Sequence, residues 1–222
     1  MIFKFEQTRT SYDMEYFARD IRGKTICIAK APFQVGGFNI YVDCITSEYR
    51  MYFNNRDTTW GTSSRDRYKF RIFDKNDSLI GESKMIPIKV DGFLQSYWSL
   101  ELDLNGVKYN MYEVGFGKEG LFLCFYREDK ELVAIAEKEL KIVDFKDKYT
   151  VYSVSDEDSK YIAMLLLNYD VTQYGDVGEI AVKSVVTKSK FTISKEAKAK
   201  FDPEFIPRIK AMHGDRIEKF LK

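Results

Sequence analysis

Two groups of basic residues have types and spacing that could do chemistry. Arg65, Arg67, Lys69 and Arg71 alternate with other residues in one stretch, and Lys183, Lys188 and Lys190 lie along another. In a β-strand, residues two apart point the same way, so Arg67, Lys69 and Arg71 would share one face while Tyr68, Phe70 and Ile72 point to the core. Guanidinium and ammonium groups sharing a face bind anions through charge-assisted hydrogen bonds. Arg67, Lys69, Arg71, Lys188 and Lys190 are therefore the candidate ligand-binding residues, and a solvated charged face is the competing reading. Other chemistry is missing from the chain. No GxxxxGK[ST] phosphate loop and no GxSxG nucleophile elbow occurs, and the GxGxxG spacing of Gly115-Phe116-Gly117-Lys118-Glu119-Gly120 sits between two strands rather than ahead of a helix, so it is not a phosphate loop. The single histidine, His213, precedes Gly214 and reads as a helix-terminal or surface residue. Asp156 and Asp158 read as helix-capping residues rather than an acid–base pair. Cys27, Cys44 and Cys124 are far apart and include no CxxC, which predicts buried, inert thiols and neither a disulfide framework nor a zinc site. The expectation is a protein without catalytic residues, metal or cofactor.

Composition sets the bounds. The 222 residues suit one large domain, or one domain with an appendage. Apolar residues make up 45%, which excludes global disorder. Aromatics reach 15%, an excess that fits half-buried pleated surfaces and favours β-structure. With 35 basic and 34 acidic residues the net charge is +1, so the overall balance demands neither nucleic acid nor a membrane as partner. No stretch has the length and apolarity of a transmembrane segment or of a signal peptide, and the expected location is cytoplasmic.

The elements that must position the candidates follow from periodicity. Met1 to Gln7 alternates as a strand, Ser11 to Phe17 leans the same way, and KTICIAKA (24–31) reads as a strand closed by Pro32. Strands are also expected over 38–44 and 48–54. The polar stretch 54–67 is a loop with Trp60 inside it. Trp98, Leu100, Leu102 and Leu104 alternate strictly and meet Asn105-Gly106, a strong hairpin signal, before Val107, Tyr109 and Met111 return. Leu121 to Tyr126 and Leu132 to Ala136 are apolar on both faces, so protein lies above and below them. Leu140 to Phe145 and Tyr149 to Val154 extend the meander. Ile180 to Ile193 is β-branched and extended. Asp202-Pro203-Glu204 starts a helix that Gly214 ends, and Asp215 starts a short last one.

One stretch, EDSKYIAMLLLNYD (157–170), stands apart. Tyr161 to Leu167 carries no charge and no polar stripe, so it predicts a helix buried on every side. About ten or eleven strands around such a helix predict a mainly β fold. That fold is an antiparallel barrel or strongly curved sheet enclosing the central helix, with C-terminal helices outside. Residues 1–193 would form the barrel domain and 194–222 a helical extension packed on it.

The succession FRIFDKNDSLIGESK, MYEVGFGKEGLFLCFYREDKELVAIAEK and KIVDFKDKYTVYSVSDEDSKYIAMLLLNYD resembles the tubby C-terminal-like superfamily, particularly its LURP-one-related and scramblase-like bacterial members. The resemblance implies paired strands closed around a hydrophobic helix. It also implies a non-enzymatic binding function directed at an anionic phospholipid headgroup or membrane surface. A protein-interaction or scaffold domain with a protein partner and no small ligand is the alternative.

Overall fold

A computed structural model describes residues 1–10, 13–34, 37–44, 47–54, 69–88, 97–173, 185–214 and 220. The first five strands are β1 (Ile2–Arg9), β2 (Asp13–Asp20), β3 (Thr25–Gln34), β4 (Gly37–Cys44) and β5 (Ser47–Asn54). Then come β6 (Phe70–Asp74), β7 (Leu79–Ile88), β8 (Tyr97–Leu104) and β9 (Val107–Gly115). β10 (Leu121–Arg127), β11 (Glu131–Lys138) and β13 (Lys148–Ser153) complete an antiparallel barrel of 12 strands, which closes where β1 pairs with both β2 and β13. Closure leaves the barrel no edge. The Asn105-Gly106 hairpin turns with positive φ at both residues, 53° and 79°, as its sequence demands.

Helix α1 (Ser159–Gln173) threads the barrel. Ile162 to Val171 is an unbroken run of buried residues, and Met164, Leu165 and Leu166 are each 0% exposed although they point in different directions. Alternating strand residues meet them from the wall, among them Phe3, Met51, Phe70, Ile72, Leu102 and Leu123. The outer faces of β9, β10 and β11 are covered too. Beyond the short α2 (Lys195–Lys198), Phe205 and Ile209 of α3 (Phe205–His213) pack there against Tyr112, Val114, Cys124 and Ile135. This explains why β10 and β11 are apolar on both faces.

The structure departs from the sequence reading in four places. α1 begins two residues later than expected and runs three further, to Gln173. Strand β3 continues past Pro32 to Gln34; its ladder with β4 skips positions 31 and 32, where proline has no N–H to donate. Leu140 to Phe145 does not extend the meander. Its core, β12 (Lys141–Val143), leaves the barrel and pairs with β14 (Val185–Thr187) in a separate two-stranded sheet. Asp144 and Phe145, both with positive φ, turn the chain back towards β13. Finally, the Asp158 carboxylate does not cap α1. It is buried and accepts hydrogen bonds from Tyr109 Oη (2.6 Å) and Arg127 (2.5 Å). The loop holding Trp60 and the expected last helix from Asp215 lie outside the described residues.

Candidate binding face at the rim of the barrel

The expected basic stripe is only partly described: Arg65, Arg67 and Lys183 lie outside the described residues. Lys69 immediately precedes β6, and Arg71 is exposed on the outer face of that strand. Opposite them stands Glu82 of β7, which binds Lys69 at 2.5 Å and Lys84 at 2.7 Å, while Lys84 also reaches Glu101 at 3.4 Å. Burial pushes the Glu82 carboxyl up, but hydrogen bonds from Lys69 and Lys84 outweigh it and hold the group below its ordinary value. Arg71 faces Glu82 in register. This wall is a mosaic of both signs. Lys190 is elsewhere, against β9, which is three strands from β6 in the barrel order, and Lys188 lies beside Leu140, just after β11.

What positions Lys188 and Lys190 is a strap, residues 185–193, laid across the rim where α1 ends. β14 pairs in register with β12, setting Val143 beside Val185. The Lys188 amide donates to the Leu140 carbonyl at 2.9 Å. Thr192 N then donates to Gly115 O at 2.9 Å, and Gly117 N to Lys190 O at 2.8 Å. Gly115 is required for this approach, since a Cβ there would stand 2.4 Å from the Lys190 carbonyl oxygen. The Lys190 ammonium is directed inward. It donates to Glu113 at 2.9 Å, beside the Tyr169 hydroxyl, which donates to the same carboxylate. These groups line a pocket of about 180 Å³ together with Trp98, Met85 and Leu100. Lys188 is half-buried, and its charge is felt by Asp170 inside the barrel.

The strap exposes apolar side chains. Val185, Phe191 and Ile193 are 61%, 66% and 73% exposed, with Val143 and Val186 beside them. Half of the exposed large hydrophobic residues among the described ones are in this small region. An exposed apolar surface of this kind marks an interaction site more reliably than scattered single residues do. Residues 185–200 carry five lysines and one glutamate, and two of those lysines are paired with carboxylates of the barrel, Lys190 with Glu113 and Lys200 with Asp129. Lys195 is exposed, and Lys198 sits 4.3 Å above the Phe191 ring.

Sequence reasoning missed Val185, Phe191 and Ile193 as surface groups, because β-branched and aromatic residues in an extended stretch normally imply a covered strand. The missed signal was the interleaving of lysines with them, K-S-K-F-T-I-S-K. Glu113 and Tyr169 were also missed, since they meet Lys190 only through the barrel's closure.

All three cysteines are free and buried. Among the described residues no group of acidic, cysteine or histidine side chains is arranged to hold a metal ion, and no helix is long and apolar enough to cross a membrane. No protein-family model, curated protein or solved structure matches this chain, so its reading rests on the geometry of the rim.

Proposed function

We propose that this is a non-enzymatic, cytoplasmic binding domain that docks on an anionic membrane surface through residues 185–200. The observation that carries the reading is the coincidence of exposed Val185, Phe191 and Ile193 with exposed Lys195 and with Lys198 over the Phe191 ring. Apolar side chains that enter the headgroup region, flanked by lysines that meet lipid phosphates, are the two components of peripheral membrane binding. The interior supports this assignment indirectly: a barrel filled by its own helix keeps recognition on the outside. The resemblance to the tubby C-terminal-like superfamily points the same way.

Binding to phosphatidylserine- or phosphoinositide-containing vesicles, compared with neutral phosphatidylcholine vesicles, tests it. Wild type should bind the anionic vesicles and release them as salt rises. Each juxtamembrane lysine contributes about 1 kcal/mol, so Lys195→Ala/Lys198→Ala should weaken binding by roughly thirtyfold. Phe191→Ser/Ile193→Ser should weaken it at least as much, since burying such side chains is worth about 2 kcal/mol each. Lys69→Ala/Arg71→Ala should bind like wild type; its loss of binding would move the site to the β6 wall. A wild-type protein that ignores anionic vesicles at low salt overturns the reading. The same apolar face would then belong to a protein partner, the second reading.

A further inference from the structure

At the end of the barrel where α1 finishes, a lysine and an aspartate meet out of reach of water. Lys138 closes β11 and Asp147 immediately precedes β13, and both side chains are wholly buried. Lys138 Nζ is in direct contact with Asp147 Oδ1. The other oxygen of that carboxylate, Oδ2, is buried without a hydrogen-bond partner. Beyond the lysine, 3.2 Å from its Nζ, lies the Tyr149 hydroxyl, which in turn donates to Asp170. Tyr16 Oη donates to the second Asp170 oxygen at 2.9 Å. Four groups are thus linked in a line: Asp147, Lys138, Tyr149 and Asp170.

This arrangement is poor as an ion pair and good as a reacting pair. A buried ion pair repays its desolvation only when its remaining lone pairs are also satisfied, and Asp147 Oδ2 is not. In a dry interior, proton transfer from ammonium to carboxylate removes both charges and leaves a neutral amine against a neutral carboxylic acid. We propose that Lys138 and Asp147 condense spontaneously into an intramolecular isopeptide bond. The Nζ lone pair attacks Asp147 Cγ and the N–C bond forms. The Cγ–Oδ2 bond then breaks, and Oδ2 leaves as water with one proton from the acid and one from the attacking nitrogen. One amine and one carboxylic acid become one amide and one water, with no oxidant, reductant or cofactor. Tyr149 and Asp170 are positioning residues and the path for that proton. Burial holds the Asp170 carboxyl above its ordinary range, which keeps a proton available there. Contact between fixed reactants supplies the acceleration that an enzyme would otherwise provide. The bond would close the loop that carries β12, the strand on which β14 and the rest of the strap are paired.

The intact mass of the wild-type protein, measured under denaturing conditions, tests this without any variant. The proposal expects a mass one water below that of the sequence. Trypsin cannot cut after an acylated lysine, so digestion should release peptide 131–141 joined to 147–148. Lys138→Met and Asp147→Ala should both return to the full sequence mass. Asp170→Asn, if folded, should contain a fraction of uncondensed chain. A folded wild-type protein at full sequence mass overturns the proposal, and so does a missing water without the joined peptide.

Discussion

The two ends of the central helix are held by aspartates used in opposite ways. At the N-terminal end Asp158 pairs as a charge with Arg127, whose side chain is 36% exposed and also reaches Glu131. Tyr109 donates to the same carboxylate, and Tyr161 stacks on the Tyr109 ring at 4.4 Å. At the C-terminal end Asp170 has no such access to water. It lies between Tyr16 and Tyr149, with Lys138 and Asp147 beyond, and Asn168, two residues before it, donates to Ser83 at 2.6 Å. One end is an ion pair at a mouth, and the other is a hydroxyl-bonded carboxyl in the interior. A helix apolar all round has no preferred rotation from its hydrophobic pattern. These polar contacts at its two ends are what select one rotation, and they do so by charge at one end and by hydrogen bonding at the other.

The enclosure that both ends serve is most sensitive in the middle of the helix. Leu165→Asp should abolish folding, because an unpaired charge in the apolar interior costs at least several kcal/mol against a total stability of about 5–15 kcal/mol. A soluble Leu165→Asp protein with a cooperative melt would contradict enclosure. Next in size is the N-terminal end. Arg127→Met strands the buried Asp158 carboxylate and should cost about 3 kcal/mol in denaturant unfolding, whereas Asp158→Asn, which removes the charge, should cost roughly half of that.

The C-terminal end is probed by pH. Burial raises the folded-state value of Asp170 above the ordinary carboxylate value near 4, despite the hydrogen bonds from Tyr149 and Tyr16 that favour its ionised form. The folded protein therefore binds this proton more tightly than the unfolded chain. Stability from this group is fully present in acid and falls as pH rises from about 4 through the raised value. Asp170→Asn should flatten that fall in melts taken across the range, and an unchanged slope would show that the carboxyl does not titrate there. Smallest is the outer wall. Lys69→Met breaks a half-exposed pair and should cost no more than about 1 kcal/mol, which a chemical melt would register as a slight shift.

The barrel was legible in the sequence because its signals are local. Leu100, Leu102 and Leu104 report a face by alternation, Asn105-Gly106 reports a turn, and Tyr161 to Leu167 reports enclosure by lacking a polar stripe. The helix ends were not legible in this way. Asp158 looked like a cap because its partners, Tyr109 and Arg127, are 49 and 31 residues away. Asp170 looked like the helix boundary, because nothing near it in sequence announces Tyr16, 154 residues earlier. Asn168 and Asp170 are polar residues satisfied only once the barrel closes. The rim is half legible: the sequence marks Lys188 and Lys190 as candidates, but their spacing does not tell that Lys190 turns inward to Glu113 while Phe191 and Ile193 are exposed.

That division of the rim into an inward lysine and an outward apolar strip is the centre of the functional account. Amide hydrogen exchange of the wild-type protein, with and without anionic vesicles, addresses it most directly. The account predicts that vesicles slow exchange in residues 185–200 and in β12, and leave α1 and strands β3 to β8 unchanged. Slowing confined to β6 and β7, with none in 185–200, would contradict it.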